Sequence, residues 1–220
     1  MSDRVEQASD ETTACELYLV TPVVDDGDAF LPVLERALDT LPTAAVRLRL
    51  ADLPEDRLKR IVIRLRPPVQ DRGVALILDS HPSLALSTGC DGVHVDAEDT
   101  ATARLIVGND LQLGAFCGTS RDLAMTAGEA GADYVSFGPF SQASEIASDA
   151  ELVGWWSAVM ELPAVAEVTI DAGGDYAAAL QPLAKTADFL ALGGDAHALS
   201  PWSDPAGVLA ALSGVLTTGV

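Results

Sequence analysis

Three stretches of this chain repeat one phrase with variation: GCDGVHV at Gly89–Val95, GADYVSFGPF at Gly131–Phe140 and TADFLALGGD at Thr186–Asp195. Each places a small residue and an aspartate (Asp91, Asp133, Asp188) before an apolar run that ends in glycine or a polar residue. That order reads as helix end, tight turn, buried strand and loop. The aspartates lie 42 and 55 positions apart, roughly two βα units each time at about 20–30 residues per unit. A chain that returns to this solution at such a period is expected to be a single parallel (β/α)8 TIM barrel. In such barrels chemistry sits in the loops after the strands. The three aspartates precede their strands, so they are expected at the opposite face, in structural roles.

The apolar periodicity supplies the remaining elements. Strands are predicted at Glu16–Thr21, Ala45–Leu50, Val74–Asp79, Gly92–Val95, Leu111–Phe116, Tyr134–Gly138, Val168–Gly173 and Phe189–Gly194. Helices alternate with them, the second stopping before Pro67-Pro68, where two residues lack a backbone N–H. Residues 1–14 are polar and acidic and are expected to be a disordered tail, with residues 15–220 forming the barrel. No dinucleotide fingerprint GxGxxG follows the first strand, which argues against an open doubly wound sheet.

The charge of −20 excludes whole classes of partner. Eight of the 13 basic residues fall between Arg47 and Arg72, and from Gly73 onward three face 19 acidic ones. Such a surface repels phosphate backbones and anionic lipid, so neither nucleic acid nor membrane is an expected partner. Cys15, Cys90 and Cys117 have no metal-type spacing and are expected to be small core residues in a reducing, cytoplasmic setting. Adjacent Trp155 and Trp156 cannot share one helix stripe. One of them is expected to meet a neighbouring loop or a second copy, as in a homodimer.

Candidate site residues follow from the strand ends. In the second strand Arg47 and Arg49 alternate with Val46, Leu48 and Leu50. Arginines cannot sit unpaired in an apolar core, so a polar mouth or carboxylate partners are expected. Asp79, with Asp96, Glu98 and Asp99, can hold a hard cation such as Mg²⁺; equally, Glu98 and Asp99 can simply start a helix. Gly173-Gly174 and Gly193-Gly194 can cradle a phosphate through backbone N–H groups, or serve tight turns. His94 lies within a strand and is expected to hydrogen-bond inside the barrel. Gly118-Thr119-Ser120 reads as a helix cap.

LYLVT (Leu17–Thr21), RLR (Arg47–Arg49), LILD (Leu76–Asp79), SLAL followed by DGVHVDAED (Ser83–Asp99) and GADYVSFGP (Gly131–Pro139) together resemble the thiamine-phosphate synthase and thiazole-tautomerase family. The resemblance runs from about Leu17 to Leu212. It implies a (β/α)8 barrel that joins an aminomethylpyrimidine pyrophosphate to a thiazole phosphate with Mg²⁺, releasing pyrophosphate. By position it implies Arg49 for the pyrophosphate, Asp99 and Asp79 for the metal, and Gly173-Gly174 for the thiazole phosphate. Arg47, Gly138, Gly193 and Gly194 complete the implied set for a phosphorylated small molecule.

Several positions depart from the family pattern. Arg47 and Ala51 stand where the family has glutamine and lysine. Asp79-Ser80 replaces Asn-Asp, and Asp96-Ala97 replaces Gly-Gln. Phe116 replaces a serine, and Ala143–Ile146 replaces Thr-x-Thr-Lys. The histidine of the tautomerases corresponds to Gly118. The expectation is a family member with a degenerate pyrophosphate site; the alternatives are a non-catalytic ligand-binding or regulatory paralogue, or an enzyme acting on another small molecule.

Overall fold

Eight parallel strands close on themselves in chain order, each paired with its sequence neighbours and the eighth with the first. The computed structural model describes residues 15–138, 149–168, 176–193 and 200–216. The strands are β1 (Glu16–Val24), β2 (Thr43–Leu50), β3 (Ala75–Asp79), β4 (Gly92–Asp96), β5 (Gln112–Phe116), β6 (Tyr134–Phe137), β7 (Ala164–Val168) and β8 (Phe189–Gly193). Between and after them run α1 (Gly27–Thr40), α2 (Glu55–Gln70), α3 (Pro82–Thr88) and α4 (Thr100–Val107). The second half adds α5 (Arg121–Glu129), α6 (Ala150–Val159), α7 (Tyr176–Ala184) and α8 (Pro205–Leu212). The (β/α)8 expectation is met.

Successive side chains on a strand face opposite ways, and this divides the interior in two. Leu17, Leu19, Val46, Leu48, Leu76, Leu78, Val93, Leu113 and their equivalents pack under the helices in one continuous cluster. The alternate set, including Tyr18, Val20, Ile77, Val165 and Ala191, fills the barrel itself. The barrel cluster is small because polar and very small residues take many of its positions.

The three aspartates of the repeated phrase do the same job three times. Asp91 Oδ2 accepts the backbone N–H of Leu76 (2.7 Å), Asp133 Oδ2 that of Leu113 (2.7 Å) and Asp188 Oδ2 that of Ala164 (2.8 Å). Each carboxylate thus ties the start of its own strand to the start of the preceding one. At the same step the backbone N–H of Asp91 donates to Leu76 O, that of Asp133 to Leu113 O and that of Asp188 to Ala164 O. These are strand-register clamps at the N-terminal face, as expected.

Two predicted boundaries are corrected. Helix α2 runs through Pro67 and Pro68 to Gln70. The prolines fall in the last two turns, and the helix end is held from outside by buried Val69 and by Gln70, whose amide donates to Gly89 O and Asp91 Oδ2. Strand β7 starts at Ala164, four residues before the predicted Val168, and is described to Val168; the rest of the predicted strand, residues 169–173, lies outside the described residues. The Asp188 clamp on Ala164 and the pairing of Val165 with Phe189 start the strand directly after Pro163.

Smaller expectations are met. All three cysteines are buried and free. Ser120 caps α5, accepting from the Leu123 N–H. Trp156 is buried while Trp155 lies under the Arg121 guanidinium, 4.4 Å from its ring centroid. Thus the first residue of α5 meets it. Among the described residues no helix is long and apolar enough to cross a membrane.

The clamps predict a graded mutational response. Asp188→Ala leaves the Ala164 N–H without its charged acceptor and is expected to cost about 2 kcal/mol, roughly 4–8 °C in melting temperature. Asp188→Asn keeps an acceptor oxygen and should recover at least half the loss in thermal unfolding followed by circular dichroism.

Candidate functional site at the barrel mouth

On β2 the inward positions are Ala45, Arg47 and Arg49, and on β3 they are Ala75, Ile77 and Asp79. Arg47 is therefore drawn into the barrel, where its side chain keeps only 7% of its exposure. Its Nη1 donates to Glu167 Oε1 at 3.1 Å, and its Nε lies 3.5 Å from Asp79 Oδ1. Carboxylate partners for a strand arginine were expected. Glu167 was not among them, because the misplaced seventh strand left it outside the barrel. Its signal in the sequence is a lone acid at an alternate position of the apolar run AVAEV.

From Glu167 a line of hydrogen bonds descends through the barrel. Ser136 Oγ donates to Glu167 Oε1 (3.1 Å) and lies 3.3 Å from His94 Nε2. His94 Nδ1 lies 3.2 Å from Tyr134 Oη, which lies 3.0 Å from Tyr18 Oη. The His94 and Tyr134 rings stack at 5.6 Å between centroids. Gly114 makes room for them: a Cβ there would sit 2.1 Å from Tyr134 Cζ and 2.5 Å from His94 Nδ1. His94 thus hydrogen-bonds inside the barrel, as expected.

Burial sets the ionisation of these groups. Glu167 is fully buried, and loss of solvent raises its carboxyl to about 7, while Arg47 and the Ser136 hydroxyl pull it down. Burial, assisted by the Arg47 charge, holds His94 well below its usual range, so the imidazole is neutral. Asp79 is raised by burial, with Arg47 and Arg49 opposing and Asp96 reinforcing.

The remaining predicted site residues are dispersed. Arg49 is half-buried, and its backbone N–H donates to the buried Thr21 Oγ1 (2.9 Å). Asp99 is exposed, ending a single 3-10 turn (Ala97–Asp99) ahead of α4 without a side-chain cap bond. Ser80, where the resemblance has the metal-holding aspartate, is exposed with φ at 60°. Gly138 donates its N–H to Gly118 O (3.0 Å). Gly193 has φ at 141°, and a Cβ there would fall 1.8 Å from Val20 O, so close strand packing demands that glycine. Gly173, Gly174 and Gly194 lie outside the described residues, as do residues 143–146.

The donor set does not fit a Mg²⁺ ion. A hard cation needs ionised carboxylates with lone pairs to spare. Asp79 is already engaged by Arg47, and Asp99 is exposed on the surface. Among the described residues no group of three or more histidine, cysteine, aspartate or glutamate side chains is placed to hold a metal.

Fold and site together define a parallel (β/α)8 barrel with a buried, carboxylate-paired arginine toward the C-terminal end of its strands. Residues 17–193 match the family described as thiamine monophosphate synthase. The chain is 45% identical over 208 residues to the thiamine-phosphate synthase of Rhodospirillum centenum, covering 91% of this chain and 96% of that protein. It is 37% identical over 190 residues to that of Erythrobacter litoralis, covering 81% and 86%. The chain belongs to the thiamine monophosphate synthase family. Among solved structures, thiamine phosphate pyrophosphorylase from Pyrococcus furiosus shares the fold at a TM-score of 0.70, with 21% identity, 93% of this chain and 98% of that one.

Glu167 makes the site testable by pH. Between about 4.5 and 7 the unfolded chain has released this proton while the folded chain keeps it. Its contribution to stability therefore falls as pH rises through that window and is constant above it. Glu167→Gln has no proton to lose. The melting temperature of the wild type relative to Glu167→Gln should decline from pH 5 to 7 and then level off. A constant difference would show that burial has not raised Glu167.

Proposed function

We propose that this chain is a thiamine-biosynthesis protein of the thiamine-phosphate synthase type that still takes a phosphorylated small molecule at its barrel mouth. In this reading its ability to transfer the pyrimidine with loss of pyrophosphate is reduced by orders of magnitude. The observation that carries it is the clamp on Arg47. Departure of pyrophosphate needs preorganised positive charge and donors where negative charge develops. Arg47 brings one positive charge and meets two carboxylates, Asp79 and Glu167, so the trio offers no net positive charge to an anion. Arg49 is then the cation of β2 that remains for phosphate.

The sequence supports the same direction. Ala51, Ala143, Glu145 and Ile146 stand where the resemblance places lysine and hydroxyl donors. Removing one such donor costs about 10²–10³ in kcat in other enzymes, so several losses together would take turnover far below that of an ordinary synthase. A Mg²⁺ requirement would fall on Asp79 and Asp99, of which the first is already paired with Arg47.

Two measurements test the reading. Calorimetric titration with thiazole phosphate, with and without Mg²⁺, should give saturable binding. A coupled assay with both substrates should give turnover below about 1% of a family member that keeps the lysines and hydroxyls. Turnover at the ordinary level would overturn the degenerate site. Failure to bind either substrate would remove the thiamine substrates altogether and leave a barrel repurposed for another ligand.

A further inference from the structure

The mouth is not the barrel's one opening. At the N-terminal end, beneath the hydrogen-bonded line, a cavity of about 330 Å³ opens between β1, β2, β3, β5, β6, β7 and β8. We propose that this cavity is a second ligand site, which takes a flat, uncharged bicyclic aromatic molecule carrying an N–H donor.

Its existence follows from side-chain size. Barrel floors are ordinarily filled by branched residues from successive strands. Here the inward positions of β2 and β3 at this level hold Ala45 and Ala75, both of which line the cavity. The β2–β3 side of the floor is therefore open. The opposite side supplies aromatic and branched walls from Tyr18, Tyr134, Val165 and Phe189.

Size and polarity select the ligand. An apolar cavity of ~150 Å³ holds benzene, so about twice that volume suits two fused rings. The walls are mainly apolar, as in small-molecule sites generally. At the rim Glu16 is exposed and Asp133 carries a further carboxylate, which disfavours an anionic ligand.

The line of hydrogen bonds determines which polar group is welcome. Ser136 donates its O–H to Glu167, so His94 Nε2–H must donate to Ser136 Oγ. A neutral imidazole then has an unprotonated Nδ1, which accepts the Tyr134 O–H. Tyr134 Oη in turn accepts the Tyr18 O–H. The line therefore ends at Tyr18, which lines the cavity, with its proton committed to Tyr134 and its oxygen left as an acceptor. A ligand N–H matches that oxygen; a ligand that can only accept does not.

The test uses the full chain and four probes: indole, 1-methylindole, indole-3-carboxylate and benzofuran, each titrated by ligand-observed NMR. Indole should bind saturably. On the unaltered chain 1-methylindole and benzofuran, which lack the N–H, should bind about fivefold more weakly, the equivalent of one hydrogen bond. The anionic indole-3-carboxylate should bind more weakly still. Ala45→Leu and Ala75→Leu, each checked for unchanged circular dichroism, should weaken indole at least tenfold by filling the floor. Tyr18→Phe should abolish the preference for indole over 1-methylindole while preserving affinity for the latter. Absence of saturable indole binding would overturn the proposal, as would indifference to both leucine substitutions. Equal affinities for indole and its carboxylate would overturn it too. The comparison of probes on the unaltered chain needs no variant, so a leucine variant that fails to fold leaves the test intact.

Discussion

A guanidinium inside a parallel barrel has to be neutralised where it sits, and in this chain Glu167 and Asp79 do so from β7 and β3. Breaking a buried pair by removing one partner typically costs about 3–5 kcal/mol, because the survivor is left as an uncompensated charge. The three side chains therefore stand or fall together, and much else in the interior depends on them. Ser136 takes its orientation from Glu167, His94 its tautomer from Ser136, and Tyr134 its donor direction from His94. The same three residues set the charge on the inward faces of β2, β3 and β7. One ionic contact thus reaches both ends of the barrel.

The N-terminal face works on a different principle. There the carboxylates of Asp91, Asp133 and Asp188 accept backbone N–H groups from the preceding strands, and their role ends with the register they hold. A one-residue slip in a strand exchanges its inward and outward sets. Since the inward set here contains Arg47, Asp79, His94 and Glu167, such a slip would place charge under the helices. The clamps keep the chemistry-bearing residues on the barrel side. This separates the two faces as barrel enzymes do, with register held below and chemistry above.

Much of this was legible in the chain. The triple phrase, the apolar runs and the alternation of AVRLRL identify strand, face and fold from local residues, because strand periodicity is itself local. The Arg47 problem was legible as a problem: a strand arginine needs a carboxylate. Its solution was not. The apolar run around Val168 is long, and its alternation does not say where the seventh strand begins. Pairing to β8 and the Asp188 clamp place that start at Ala164. The prolines of α2 misled in a similar way, since tertiary contacts of Val69 and Gln70 carry the helix past them.

The sequence by itself determined the architecture, the identity of the aspartate clamps and the set of residues available to the mouth, because each is a matter of residue type at a local period. The tertiary structure alone decided what those residues do to one another. Arg47 and Glu167 are 120 positions apart, and Tyr18 and Tyr134 are 116 apart. No local pattern encodes a distance of 3 Å across a closed barrel. Closure of the sheet converts an arginine suited to phosphate into one spent on two carboxylates, and it converts two alanines into an open floor.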